Sequence, residues 1–376
     1  MRGQGGGDAE SVEGKGEVIE VTATPVPLSA LDASPELLQS GFWGSFKQSH
    51  GWEPRGFAVG LNGVPREEFP LLVLLRPLLR LFTIAYVPFG PAREPGADRW
   101  IFLSALAKAL RDNLPRTTMV IRFDLPWTLR GEGPVAALAP RVVKSPHDMQ
   151  PASTVVVDIA PPLDVVIAAM KSKTRYNIRL AEKKGVKVAQ GGAEDVDAWY
   201  AIYRETSRRD RIGIHSRGYY SDLLETARTY AGARPDIRLL LATHEGTLLA
   251  GTIVAFWKDR AAYLYGASSG EKRNLMPTYA LQWEAIRLAR DAGCTSYDLF
   301  GVPPRPDPGH PMFGLYQFKT GFREEVRERW GTWDVPCRPA AYACYLAAEA
   351  ARMFYHRSLK KRLRGRPRAG HALDHA

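Results

Sequence analysis

Two widely separated stretches of the chain carry the same succession of apolar runs. The first reads LFTIAYVPFGP, then RWIFLSALAKALRDNLP, then TTMVIRFDLPW, from Leu81 to Trp127. The second reads AAYLYGASS, then PTYALQWEAIRLARDAG, then TSYDLFGVPP, from Ala261 to Pro304. Each predicts a strand, a loop, an amphipathic helix and a second strand. The middle segment repeats apolar residues at i, i+3, i+4 and i+7, as with Ile101, Leu103, Leu106 and Leu110, while the flanks are short apolar runs. In both units the second strand carries an acid after an aromatic, Phe123-Asp124 and Tyr297-Asp298. A repeat at this spacing predicts a duplicated domain, because solenoid periods are far shorter.

The rest of the chain is read the same way. Residues 1 to about 25 show no helical period and are taken as a loose tail. Ser34, Pro35 and Glu36 predict a helix start, with Pro at the first helical position. Strands are expected at Phe57–Leu61, Leu71–Leu75 and Phe82–Val87. The most apolar segment, Phe69 to Phe89, contains Arg76, Arg80, Pro70, Pro77 and Pro88. Central arginines are costly in lipid and three prolines break a helix, so this segment predicts two buried strands and a turn rather than a membrane span. A further helix is expected to begin near Asp195. Met170 to Val186, MKSKTRYNIRLAEKKGV, predicts a helix with Ser172 capping its start and Gly185 supplying the left-handed residue after its end. Lys171, Arg175 and Arg179 would share one face of it, either solvated or laid against nucleic-acid phosphates. After Pro336 an Ala-rich helix leads into a run of basic residues from Arg357 to Arg368 without an acid.

Composition narrows the partners rather than the fold. The 376 residues suffice for two domains, and 45% hydrophobic with 24% charged residues is ordinary for a globular protein. A formal net charge of +11 favours an anionic partner. Cys294, Cys337 and Cys344 are odd in number and lack metal-ligand spacing, which argues against a disulfide framework or zinc site and for a reducing, cytoplasmic compartment. The N-terminus has no apolar stretch of signal-peptide type. No metal site is expected.

A strand, loop, helix and strand, with the loop opening a helix N-terminus, form the core of GNAT-type acyltransferases. In acetyltransferases that loop is Gly-rich and holds the CoA pyrophosphate on backbone N–H groups. Here Pro91–Asp98 and Gly270–Pro277 have the position but not the glycines, so a donor other than acetyl-CoA is expected. Three stretches then carry a resemblance. The helix MKSKTRYNIRLAEKKGV resembles the signature helix of the Fem-type peptidoglycan bridge aminoacyltransferases. QSGFWGSFKQSHGW resembles that family's opening, and MFGLYQFKTGFREEV, Met312 to Val326, its closing motif. The likeness covers Ser34 to Pro336.

The resemblance implies an α/β (α+β) fold of two tandem GNAT-like domains, with the last segment returning to the first. The expected division is a flexible tail over 1–25, a first domain over 26–152 plus 327–356, a second over 153–326, and a basic tail over 357–376. Without a sustained heptad run, the chain resembles the compact members that lack a coiled-coil arm. The same resemblance implies an aminoacyltransferase that takes an amino acid from aminoacyl-tRNA, with no other cofactor, and joins it to the stem peptide of a UDP-linked or lipid-linked muropeptide precursor. A monomer is expected. The basic tail suits either tRNA phosphates or the inner membrane face.

Site residues are carried over position by position. Lys319, with Phe318 before it, resembles the family's lysine at the acceptor end of the tRNA, where a cation stabilises the charge developing on an ester oxygen. Lys47 resembles a lysine on the precursor's diphosphate. In the basic loop from Arg208 to Tyr220, Arg217 with Tyr220 is the choice for the precursor's phosphates and sugar, and Arg211 fits the spacing as well. Tyr265 resembles a substrate-contacting tyrosine. Asp124 resembles the family's general-base candidate, and organising the strand end is the competing role. No Ser/His/Asp or Cys/His motif suggests an acyl-enzyme, so direct transfer is expected. The alternative is a GNAT-like N-acyltransferase using an acyl thioester on a small metabolite.

Overall fold

Both repeated stretches fold as crossover units joined by one large sheet. The computed structural model describes residues 20–61, 68–78, 81–95, 99–129, 141–210 and 212–355. In chain order the first elements are β1 (Val21–Val26), α1 (Gly41–Gln48), β2 (Glu53–Leu61), β3 (Phe69–Leu78), β4 (Phe82–Val87), α2 (Arg99–Arg111) and β5 (Thr118–Thr128). A short β6 (Val143–Lys144) precedes β7 (Ser153–Asp158), α3 (Leu163–Ala168), α4 (Ser172–Lys183) and β8 (Lys187–Gly191). Then come α5 (Val196–Asp210), α6 (Arg217–Thr229), β9 (Asp236–His244), β10 (Thr247–Trp257) and β11 (Arg260–Ser268). The chain ends through α7 (Pro277–Asp291), β12 (Ser296–Gly301), α8 (Phe313–Lys319), β13 (Arg327–Pro336) and α9 (Pro339–Phe354).

The strand order is β1-β2-β3-β4-β5-β13-β7-β12-β11-β10-β9-β8, with β6 on β13. In it β4 runs parallel to β5 and β11 parallel to β12, while the other neighbours are antiparallel. Parallel neighbours need a crossover, and α2 and α7 supply the two. β13 is the seam. Its residues Gly331 to Pro336 pair with β5, and its first residues, Arg327 and Glu328, pair with β7.

Alternation along the strands gives the sheet two apolar faces. Leu71, Val73 and Leu75 join Leu103, Leu106 and Leu110 of α2, whereas Leu72 and Leu74 face the other way toward α1. Likewise Leu240 and Ala242 pack with α4 and α7, and Leu239 and Leu241 with α5 and α6. The face under α1, α5 and α6 is thus one core shared by both ends of the sheet, with Phe42, Phe46, Trp199 and Tyr220 at 2% exposure or less. Each such side chain stabilises the fold by roughly 1.5–3 kcal/mol.

Several sequence expectations are corrected. Residues 21–25, expected in the loose tail, belong to β1, where Val21 and Ala23 are buried and Thr22 and Thr24 exposed, a period of two rather than a helical one. No helix starts at Ser34. Its hydroxyl accepts from Glu36 N, and Gln39 is pulled down onto Leu72 and Pro88 by its amide, so α1 begins only after Ser40, whose side chain accepts from Trp43 N. Ile101 is 46% exposed, because the buried side of α2 runs through Trp100, Leu103 and Ala107. Ser172 does not cap α4. The cap position is Lys171, whose N–H donates to Gly321 O at 2.9 Å, while Gly185 is left-handed as expected, at φ +78°. Among the described residues no helix is long and apolar enough to cross a membrane. The basic run from Arg357 onward and Arg211 lie outside the described residues.

Candidate functional site

The two strands of the second crossover unit part company early. β11 and β12 pair only over Arg260–Ala262 and Ser296–Asp298. Beyond that point the β12 carbonyls on this side lose their strand partner, and backbone acceptors left so must find another donor. Lys319, at the end of α8, provides it. Its Nζ donates to Gly301 O at 3.0 Å and Phe300 O at 3.3 Å, and lies 5.1 Å from the centre of the Tyr263 ring. The residue is only 4% exposed, and burial pushes its pKa down to about 7, partly opposed by the Asp298 charge. A buried ammonium with a depressed pKa at the mouth of a splayed strand pair makes Lys319 a candidate for the reactive site. Phe318, one residue earlier, packs edge-on against Tyr279 and Phe322 in the core.

The β12 turn is held under strain. Phe300 is left-handed at φ +58°, a conformation that costs a bulky residue about 1–3 kcal/mol. Asp298 fixes it, accepting from Phe300 N at 2.8 Å, from the Thr154 hydroxyl, and from Arg329 Nη2 at 2.6 Å. Phe89, after β4 in the first unit, is also left-handed, and its ring stacks on Phe300 at 5.9 Å. A cavity of about 450 Å³ opens beside this stack, walled by Phe89, Trp127, Trp257, Asp298, Phe300 and Arg329.

Asp124 lies on β5 at 3% exposure. Tyr86 OH and Thr332 Oγ1 each donate to it at 3.2 Å, and burial lifts its pKa to about 7 against those two hydrogen bonds.

A second group of sequence-expected residues meets on the α1 and α6 side. Lys47 Nζ donates to Tyr219 OH at 3.3 Å, and Tyr265 OH lies 3.5 Å from the same oxygen. Burial, and after it the nearby Arg76 charge, lower the Lys47 pKa to about 8. His215 stacks on Tyr219 at 3.8 Å and His50 tilts against it at 4.7 Å. Both imidazoles have pKa values lowered by burial and by Lys47. Tyr220, expected on substrate, is instead fully buried against Trp199 and Tyr203, with its oxygen accepting from His215 N, and Tyr219 stands beside Lys47. Arg217 is half-exposed and paired with Asp197 at 2.8 Å.

The structure therefore joins Lys47 with Tyr265, and places Lys319 and Asp124 at separate points along the sheet. It adds Tyr219, His50, His215 and Arg76 to the first group, and Asp298 and Arg329 to the second. Asp298 had a sequence signal, as the counterpart of Asp124 in the repeat. Single histidines and Arg76 carry none. The loop before α7 offers no phosphate cradle, because Met276 occupies the cap and Pro277, without an N–H, the first helical position.

A family model described as the FemAB family matches residues 141–232 and 238–350. The lipid II:glycine glycyltransferase of Staphylococcus epidermidis strain RP62A is 23% identical over 366 aligned residues, covering 80% of this chain and 87% of that protein. Its namesake from Staphylococcus aureus strain COL is 22% identical over 371, with the same coverage. The crystal structure of FemX superposes with a TM-score of 0.71 at 20% identity, over 84% of this chain and 97% of FemX. With a sheet carrying two crossover units, a lysine at the mouth of the second and the family model spanning more than half its length, this chain belongs to the FemAB family.

Proposed function

We propose that this chain is an aminoacyltransferase that moves an amino acid from aminoacyl-tRNA onto a stem-peptide amine of a lipid-linked peptidoglycan precursor. The observation that carries the reading is Lys319, a buried ammonium held by Phe300 and Gly301 where β11 and β12 diverge. The acceptor amine attacks the ester carbonyl, a C–N bond forms, and negative charge grows on the carbonyl oxygen. The Lys319 ammonium stabilises that oxygen. The C–O bond to the ribose then breaks, the amine loses a proton and the ribose oxygen gains one. Asp124 has both carboxyl oxygens engaged and little exposure, so its part is to fix Tyr86 and Thr332 along the acceptor path. Lys47 and Arg76, backed by Trp43 and Tyr219, supply the cations for the precursor's diphosphate, with His50 and His215 beside them as hydrogen-bonding groups that burial keeps neutral. The relatives named for transfer to lipid II support the lipid-linked acceptor.

The test is transfer of a labelled amino acid from charged tRNA to lipid-linked and UDP-linked precursors. Label on the lipid-linked form, abolished by RNase and reduced about 10²–10³-fold by Lys319→Met, is the expected result, that range being typical for loss of one oxyanion donor. The kcat/KM of the wild type should fall above about pH 7 as Lys319 loses its proton, and Lys319→Arg should remove that fall. Label from an acyl thioester and none from tRNA would replace this reading with the thioester-dependent acyltransferase.

A further inference from the structure

The sheet face that carries Arg76 continues beyond α1 and ends under α9. Alternate residues of β3 point to this face, about 7 Å apart. Leu72 and Leu74 pack under α1, and Arg76 follows with its guanidinium 5.2 Å over the Trp52 ring. Leu78 is next, and it packs with Phe82 and Ile84 of β4 under Tyr342, Tyr345 and Leu346 of α9. Arg76 pairs with Ile84 and Leu78 with Phe82, so the residues on the two strands keep step. One side of α9 is spent on this packing. The other side, through Ala343, Ala347, Ala351 and Phe354, is exposed and carries no carboxylate, since the helix's one acid, Glu349, accepts from Tyr345 OH. Phe354 is 69% exposed, and Tyr355 after it is exposed as well. Leu81, in the turn between Leu78 and Phe82, adds a third large apolar side chain in water at the strand ends that α9 covers. In sequence, α9 is followed by the run of Lys and Arg from Arg357 to Arg368.

We propose that α9 docks this chain on an anionic lipid bilayer, with Phe354 and its outer face in the headgroup layer and the basic run that follows on lipid phosphates. Lys47 and Arg76 then meet the diphosphate of a precursor still anchored in that bilayer. The proposal rests on the lipid-linked acceptor assigned above. Two independent features select a bilayer. Exposed aromatic and aliphatic side chains on a helix without outward carboxylates suit the boundary between headgroups and acyl chains, and a single such signal binds only marginally without a second. The basic run supplies the second, because an anionic leaflet attracts Lys and Arg close to its surface. RNA phosphates would satisfy the run but leave Phe354, Tyr355 and Leu81 in water. A second copy of the chain would cover those residues but bring an equal positive charge beside the first. Position agrees with the bilayer. The diphosphate of a lipid-linked precursor is where its water-soluble part meets its lipid, and Arg76 lies only two residues along β3 from Leu78 under α9.

The test sediments the full chain with precursor-free vesicles of phosphatidylcholine, with and without phosphatidylglycerol. Wild type should bind the phosphatidylglycerol vesicles and leave them at high salt. A variant with Lys360→Gln, Lys361→Gln, Arg362→Gln and Arg364→Gln should bind at least about 10²-fold more weakly. A variant with Ala347→Glu and Phe354→Glu should lose at least about tenfold. Both variants should melt like wild type by circular dichroism, raise the KM for precursor held in vesicles, and leave unchanged the KM for a water-soluble precursor with a truncated lipid. No binding of wild type to anionic vesicles, or unchanged binding by both variants, would overturn the proposal even with transfer intact. It would also fall if the glutamine variant lost charged tRNA and kept the vesicles, which would give the run to RNA. A dimer in the absence of vesicles that the glutamate variant dissociates would make the face a contact between copies, with the same consequence. Transfer to neither precursor would sink the assigned reaction, and the precursor-free vesicles would still decide the docking.

Discussion

At the scale of single residues, the site turns on groups whose charge is set by burial. Asp124 is the sharpest case, since its pKa rises from 3.8 to about 7 in the fold. A carboxyl raised in this way holds its proton more tightly folded than unfolded. Its contribution to stability is complete below about pH 4 and is lost as pH rises through about 7. Asp124→Asn keeps a hydrogen-bonding group between Tyr86 and Thr332 without the ionisation. Its melting temperature, relative to wild type, should therefore be higher at pH 8 than at pH 5, and transfer should persist at reduced kcat. A melting difference independent of pH would show that Asp124 is not titrating, and complete loss of transfer would make it the base. What could be read at this scale depended on motif context. Lys319 and Lys47 stood in recognisable strings, whereas the choice between Tyr219 and Tyr220 depends on the phase of α6, which starts at Arg217. Adjacent tyrosines differ by about 100° around a helix, and nothing in the string says which one faces Lys47.

At the scale of elements, the hydrophobic pattern located strands and helices well but not their irregularities. Tyr263 and Tyr265 are two apart and should share a face. A register shift opposite Ile253 and Val254 leaves Leu264 as the extra residue, so Tyr265 turns toward Tyr219 while Tyr263 lies beneath Lys319. No pattern in the sequence announces that bulge, yet it is what lets one strand serve both groups. The signature helix α4 was expected to set Lys171, Arg175 and Arg179 on one face, but Lys171 pairs with Glu324 and Arg175 donates to the carbonyls of Ala168 and Met170, so that face is partly spent within the protein. Lys171 N binds Gly321 O, two residues past Lys319, and Thr174 lies so close to Gly321 that a Cβ there would collide with its hydroxyl. Lys173, Arg179, Lys183 and a 63% exposed Tyr176 lie on the exposed side of α4. On the function proposed above, the donor tRNA would lie along this side. Replacing Lys173, Arg179 and Lys183 with Glu should weaken binding of charged tRNA by at least about tenfold at low salt. The salt slope should fall by roughly 0.7–0.9 for each phosphate no longer neutralised, with acceptor KM unchanged. Unaltered tRNA affinity and slope would make this face a solvated surface only.

At the scale of the whole molecule, the duplication was visible because two crossover units repeat the same order of apolar runs. The way the units are joined was not, since it depends on partners distant in sequence. Arg122 on β5 and Asp334 on β13 are 212 positions apart, and their paired bonds of 2.8 Å are buried at the seam. Tyr342 of α9 donates to the same carboxylate at 2.7 Å, tying the last helix to the pair. Asp334 is 0% exposed, so removing its cation leaves a buried charge with only the Tyr342 hydroxyl to compensate it. Arg122→Met should cost about 3–5 kcal/mol, whereas Arg122→Met with Asp334→Leu should regain most of it, since an apolar pair of similar volume avoids the desolvation of both charges. Thermal unfolding followed by circular dichroism distinguishes the cases. Because β13 pairs with β5 at one end and β7 at the other, loosening it should lower one cooperative transition rather than split it into two. A single variant that melts like wild type would mean that the backbone ladder alone holds the seam. Two separate transitions would mean that each crossover unit is stable by itself, and that the alignment of Phe89 with Phe300 is maintained by this one strand.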